Sequence, residues 1–457
     1  MRLQLSPSFL SYVGLILGIF LLVFLTTCGI SAQNFVTASV GKLMMDGREY
    51  RFVGTNYWYA SLLALDKDKK RGIERLCREL DFLKSQGVTN LRLLAGAEGS
   101  GLLNGVERVG PSIQPTQDQF NSTALDGLDI VLYEMSKRKM KAVIFFSNNW
   151  EWSGGFQQYL IWNNKQDARW LTEKPDWDTL RDNVANFYSC GPCTDSYERQ
   201  MRFVLARKNS INGKKYIDDP TIMAWEIANE PRPMRPSANG AYKAWLSKTS
   251  AAIRSLDSKH LITIGHEGSI GTESIELFQE IHADKNIDYL TIHIWPKNWN
   301  WFTRGKLAEE LSKALATTEK YIAESAAVAV RLKKPLVIEE FGLPRDGESF
   351  DIGSTTVHRD KYYSAIFAHI GKTNISGAAF WAFGGYAEPI KGQPFWKMGD
   401  EYMGDPPMEE QGLNSVFASD KSTWKVISST AKRISQYKRQ PRDCLIKCWW
   451  RRGGSNP

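Results

Sequence analysis

Two short segments of the 457-residue chain carry acids where an apolar run stops. Ile222-Met223-Ala224-Trp225-Glu226-Ile227-Ala228 leads into Asn229-Glu230-Pro231, and Leu336-Val337-Ile338 leads into Glu339-Glu340-Phe341-Gly342. Runs of this kind suit strands buried on both faces, and proline after Glu230 would turn the chain out of its strand. Each run therefore presents a carboxyl group beyond a strand end. Two such groups are what glycosidic cleavage requires: one protonates the leaving oxygen while the other attacks the sugar or activates water. A single acid at a strand end serves equally well as a helix cap or ion-pair partner. Two of them in a chain with 16 tryptophans favour carbohydrate chemistry. Trp58, Trp150, Trp152, Trp295, Trp299, Trp301 and Trp381 follow apolar runs, where flat rings can stack on sugars. Trp225, inside a run, reads as core. Alternation along a strand says only that Glu339 and Glu340 face opposite ways, without choosing between them.

The elements needed to hold these groups are legible as a repeating pattern. Strands are expected at Arg51–Thr55, Thr89–Leu94, Lys141–Phe146, Ile222–Ala228, Leu261–Ile264, Asp288–Ile292, Leu336–Ile338 and Gly377–Trp381. Helices are expected at Ile73–Gln86, Ala124–Arg138, Tyr197–Arg207, Ala241–Leu256, Ile275–Ile281, Ala308–Val330 and Arg359–Ile370, with Lys421–Tyr437 closing the series. Eight strand-helix units imply an α/β fold closed as a (β/α)8 TIM barrel, where polar residues past the carboxyl ends of strands do the chemistry. No glycine-rich phosphate fingerprint opens the first helix, which weakens a nucleotide-binding reading. Asp46-Gly47, between Leu43-Met44-Met45 and Arg48-Glu49-Tyr50, signals an N-terminal β-hairpin that could plug the bottom of the barrel.

Composition narrows the partners. The +8 formal charge is concentrated near the C-terminus, where six basic residues from Lys438 to Arg452 stand against Asp443 alone. With these and Arg2 set aside the body is close to neutral, which suits an uncharged substrate better than a nucleic acid. Phe9 to Leu25 is an apolar run behind Arg2, followed by Ile30-Ser31-Ala32, the form of an export signal. The expected organisation is a signal peptide at 1–32, one catalytic domain at 33–440 and a basic tail at 441–457. The protein would be secreted or periplasmic, with lipid attachment at Cys28 as the alternative. Cys190-Gly191-Pro192-Cys193 has the spacing of a redox motif, but in an exported chain a local disulfide is the better expectation, and Cys444 and Cys448 could pair in the tail. Six scattered histidines show no metal-ligand spacing, so no metal and no cofactor is expected.

Several of these segments together resemble glycoside hydrolase family 5 of clan A, and its β-mannanase branch most. They are Gly54-Thr55-Asn56-Tyr57-Trp58, Asn90-Leu91-Arg92-Leu93, Trp225 to Pro231, Thr291-Ile292-His293-Ile294-Trp295-Pro296, Glu340-Phe341-Gly342 and Phe380-Trp381. The likeness runs from about Phe35 to about Tyr437. It implies a retaining endo-β-1,4-mannanase acting on mannan, glucomannan or galactomannan, with Glu230 as acid/base and Glu340, directly before Phe-Gly, as nucleophile. Glu339 would then face the helices or support a neighbour. The resemblance further implies that Asn229 meets the sugar 2-hydroxyl, Arg92 keeps Glu340 ionised, His293 bonds around the acid pair, Trp381 forms the sugar-binding floor and Trp58 contacts substrate. Many relatives have tyrosine where this chain has Trp295, so either the indole takes over the bond to the nucleophile or another hydroxyl does. A β-1,4-glucanase and an exo-β-mannosidase share this machinery, and a non-catalytic glycan-binding barrel is the alternative of another class. The expected partner is a β-mannan polysaccharide or manno-oligosaccharide, bound by a monomer with no nucleic acid and no membrane beyond the export signal.

Overall fold

A computed structural model describes residues 35–437. The N-terminal segment expected to be an export signal, with Cys28, and the tail with Cys444 and Cys448 lie outside the described residues. Eight parallel strands form the central sheet: β1 (Phe52–Asn56), β2 (Asn90–Leu94), β3 (Lys141–Phe145), β4 (Ile222–Glu226), β5 (Leu261–Thr263), β6 (Leu290–Ile294), β7 (Leu336–Phe341) and β8 (Ile375–Phe380). Every residue in them is buried, as continuous apolar strands covered by helices require. Their order is β5-β4-β3-β2-β1-β8-β7-β6. The circle closes between β5 and β6 through a sparse seam, in which Asp288 N–H donates to Ile262 O at 2.8 Å and His293 N–H to Glu267 O at 2.9 Å.

Eight helices follow the strands: α1 (Lys69–Ser85), α2 (Ala124–Lys137), α3 (Gly191–Leu205), α4 (Asn239–Leu256), α5 (Ile275–His282), α6 (Leu307–Leu332), α7 (Val357–Phe367) and α8 (Lys421–Tyr437). Each lies within a few residues of its expected range except α3, which begins earlier because Pro192 occupies its first turn, where a missing N–H costs nothing. Among the described residues no helix is long and apolar enough to cross a membrane.

The expected hairpin is a three-stranded antiparallel sheet, Thr37–Ser39, Lys42–Met45 and Arg48–Glu49. Its Leu43, with Val36 and Tyr50, joins Phe52, Val143, Met223, Leu261, Tyr289 and Val337 in an apolar layer inside the lower barrel. The plug is therefore a second, small core beneath the polar upper layer. Two long excursions also shape the mouth. Residues 146–221 carry extra helices Gly155–Trp162 and Trp177–Ala185, and residues 382–420 fold back through the short strand pair Phe383–Gly385 and Val416–Phe417. A buried ion pair fastens the second excursion, with Arg345 Nη2 2.7 Å from both oxygens of Asp420. Arg359 approaches the same carboxylate at 3.4 Å.

Candidate active site

The upper barrel layer is built around Arg92 on β2. A guanidinium has five N–H donors, and here all five are used. Nε donates to Glu226 at 2.8 Å and Nη2 to the other Glu226 oxygen at 2.5 Å, so that pair is bidentate. Nη2 also donates to Asn229 Oδ1 at 2.8 Å, while Nη1 donates to Asn56 Oδ1 at 3.0 Å and to Glu340 Oε1. Glycine at 265 leaves room for this arrangement: a Cβ there would fall 2.1 Å from Glu226 Oε1, and the residue's φ of +82° is itself one that side chains disfavour.

Glu230 lies four residues past the end of β4, its N–H bonded to Gly265 O at 2.9 Å and its φ at +49°. Its carboxyl group receives Trp150 Nε1–H at 2.6 Å and meets His293 Nδ1 at 2.7 Å. The same Nδ1 is 3.3 Å from Glu340 Oε2. Trp295 Nε1–H donates to Glu340 Oε2 at 3.2 Å, so the indole occupies the position in which a tyrosine hydroxyl was considered. One oxygen of Glu230, one of Glu340 and a His293 ring nitrogen all lie within 4.8 Å of one another. These three are also the one set among the described residues that could offer three donors to a cation. Paired-carboxylate glycoside hydrolysis uses none.

Burial raises both Glu230 and Glu340 above the ordinary carboxylate range, and the charge of each opposes that of the other. Arg92 works against burial at Glu340, but its charge is shared with Glu226 and Glu339. The two groups therefore titrate as a pair, and the direct guanidinium contact favours the anion on Glu340 over one on Glu230. Burial pushes His293 down to about 4, which keeps its imidazole neutral.

A cavity of about 460 Å³ opens over this pair. Trp381 and Trp295 wall it on the Glu340 side, their rings 6.0 Å apart and nearly perpendicular. Trp150, Trp177 and Arg232 form another part of the wall, with the guanidinium 5.1 Å over the Trp150 ring and 5.8 Å from Trp177. Asn229, Trp152, Trp299 and Glu409 also line it, and burial with the nearby Asp405 charge pushes Glu409 up to about 8.

Of the residues singled out from sequence, Glu230, Glu340, Arg92, Asn229, His293, Trp295 and Trp381 converge here. Trp58 does not reach the cavity. It is buried with its ring 4.9 Å from that of Trp152 and its Nε1–H bonded to Gly404 O at 2.8 Å, so it backs a wall residue and offers no free face to a sugar. The expectation that Glu339 and Glu340 face opposite ways also fails, because β7 contains a bulge. Ile292 pairs with Ile338, but the next residue, His293, pairs with Glu340. The skipped residue turns both acids to the lumen, where Glu339 Oε2 lies 3.7 Å from Arg92 Nε. Glu226 was not assigned a role from sequence, and Trp150, expected as a sugar-stacking ring, also gives its Nε1–H to Glu230. A signal for Glu226 existed, since a charge inside a fully buried strand demands a buried partner.

The fold and the site define a glycoside hydrolase barrel with a buried carboxyl pair at its mouth. A family model described as "GH family 5 beta-mannosidase-like" matches residues 33–439, and the chain belongs to that family. A rice protein named mannan endo-1,4-beta-mannosidase 1 is 27% identical over 88% of this chain and 86% of its own length. An Arabidopsis thaliana protein named mannan endo-1,4-beta-mannosidase 7 is 25% identical over 90% of this chain and 88% of its own. Among solved structures, a glycoside hydrolase family 5 mannosidase from Rhizomucor miehei superposes with a TM-score of 0.80 at 28% identity, covering 90% of this chain and all of that one.

Proposed function

We propose that this protein hydrolyses internal β-1,4-mannosidic bonds of mannan, glucomannan or galactomannan with retention of configuration. The observation that carries the proposal is the approach of Glu230 and Glu340 oxygens to within 4.8 Å across an aromatic-walled cavity. Retaining enzymes hold their carboxyl groups ~5–5.5 Å apart, whereas inverting ones need ~6.5–9.5 Å to admit water between them. In the first step Glu340, held by Arg92 and Trp295, attacks the anomeric carbon while Glu230 gives its proton to the leaving oxygen. Glu230 then takes a proton from water, which displaces Glu340 and frees the sugar. Neutral His293 touches both groups and can keep them aligned as the proton moves. The relatives named above as mannan endo-1,4-beta-mannosidases support the choice of substrate.

The test is reducing-sugar release from mannans and from carboxymethyl cellulose by wild type, Glu230→Ala and Glu340→Ala. Loss of mannan hydrolysis in both variants, and retention in the first product seen by NMR, are expected; a preference for the glucan would overturn the substrate assignment. A second reading, exo-β-mannosidase, is favoured by the family description and by the Rhizomucor neighbour, itself titled a mannosidase. Product size separates the two: early oligosaccharides mean internal cleavage, mannose alone means cleavage from the end. Export is supported by the Cys190–Cys193 disulfide, a bond favoured in oxidising compartments.

A further inference from the structure

We propose that Glu339 is a positioning residue for hydrolysis, carrying its proton in the resting enzyme and donating it to Glu226, so that the Arg92 contact to Glu340 holds an anion. The inference rests on the reading of Glu340 as nucleophile. The β7 bulge turns Glu339 toward the guanidinium that Glu226 of β4 and Glu340 already contact, and the donors of that guanidinium are exhausted. Glu226 takes two N–H groups, Glu340 one, and the two asparagines the rest. Glu339 therefore stands off at 3.7 Å from Arg92 Nε and at 3.7 Å from His293 Nε2, beyond hydrogen-bond range of both.

Neither Glu339 oxygen receives a hydrogen bond from an N–H or O–H group of another residue, although both are fully buried. A carboxylate in that position would have no hydrogen bond and only a share of the Arg92 charge at 3.7 Å, already divided with Glu226 and Glu340, which is a costly arrangement for a buried charge. A carboxylic acid there can give its proton to Glu226, because the two face the same Arg92 Nε, Glu226 Oε2 at 2.8 Å and Glu339 Oε2 at 3.7 Å. The groups facing Glu339 are Arg92 on β2, Glu226 on β4, Tyr289 and His293 at β6 and its own neighbour Glu340. Burial first, and the Glu226 charge second, favour the protonated form and outweigh Arg92 and His293, which favour the anion. The bond serves the reaction indirectly: with Glu339 neutral, its charge is not added to that of Glu226 in pressing on Glu340.

The test compares Glu339→Gln, a neutral amide of the same shape, with Glu339→Ala. Glu339→Ala should lower kcat at least tenfold with little change in KM, and Glu339→Gln should recover most of that loss. The acidic limb of kcat/KM in Glu339→Gln should stay within about 0.3 pH unit of wild type, since a shift that small means no charge was removed. If Glu339 is ionised instead, the amide removes a like charge beside Glu340 and the limb moves down by a unit or more, which overturns the proposal. A second measurement needs no activity: the infrared difference between wild type and Glu339→Gln at neutral pH should show the stretch of a protonated carboxyl, and carboxylate bands in its place would refute it. Trapping with a 2-deoxy-2-fluoromannosyl fluoride tests the reading beneath it. A label on a residue other than Glu340 means the nucleophile is misassigned, while the infrared result still reports on Glu339.

Discussion

Glu230 and Glu340 are buried side by side, so they lose their protons in two steps that belong to the pair. Activity needs one proton on the pair: below the lower step Glu340 is protonated and cannot attack, and above the upper step Glu230 has none to give. Because burial raises both groups, the acidic limb of the pH profile should lie above the ~4.3 of an ordinary glutamate. A plot of kcat/KM against pH checks this, and a limb at or below that value would refute the assignment. Glu230→Gln should abolish the basic limb and lower kcat on polymer about 10²- to 10⁴-fold. The loss should be much smaller on an aryl mannoside whose leaving group needs no proton. At this scale the sequence was informative where the chemistry restricts the residue type, as at Asn229-Glu230 and Glu340. It was uninformative where orientation depends on pairing with a distant strand: nothing in Ile338-Glu339-Glu340 announces that β6 will skip a residue, and nothing around Trp58 announces that Trp152 will cover it.

Two elements show how the surroundings of the site are kept in place. Asp420, just before α8, neutralises Arg345 and Arg359, both fully buried. Asp420→Ala would leave two guanidinium groups without their counter-ion and should cost about 3–5 kcal/mol in chemical denaturation. Breaking the exposed Lys70–Glu74 pair should cost under ~0.5 kcal/mol. Helix α5 ends at His282, whose Nδ1 meets Phe278 O at 2.8 Å and whose pKa burial pushes down to about 3 from 6.5. Between those values the unfolded chain binds one more proton than the folded one at this site. Stability therefore rises with pH across that window and is lost as acid is added, by about 1.4 kcal/mol per pH unit for one proton. His282→Gln should flatten the acid side of a stability-versus-pH curve by that slope; an unchanged slope would show that His282 is not the group responsible. The barrel strands and their helices were readable because their apolar periods are long and regular. The excursions at 146–221 and 382–420 were not, since their short helices and strand pairs are held by packing such as Arg345 on Asp420 and have little periodicity of their own.

For the molecule as a whole, α8 is the last element the barrel requires. Its Trp424 packs at 4.8 Å on Phe82 of α1 and at 5.8 Å on Phe380 of β8, with its Nε1–H bonded to Phe417 O at 2.7 Å. A chain ended after residue 440 should keep wild-type kcat/KM on mannan, whereas one ended before Lys421 should fail to fold. Trp424→Ala should cost about 3–5 kcal/mol. Loss of activity on removing 441–457 would give that segment a role in hydrolysis. The junction of β5 with β6 bears on the motions of this structure. Local opening follows the sparsest hydrogen bonding, and here two main-chain bonds span a junction that a full ladder spans elsewhere in the circle. In deuterium exchange the amides of Asp288 and His293 should lose protection before those of β2 and β3. The earliest breathing of the cylinder would then begin beside the histidine that lies between its two reacting acids.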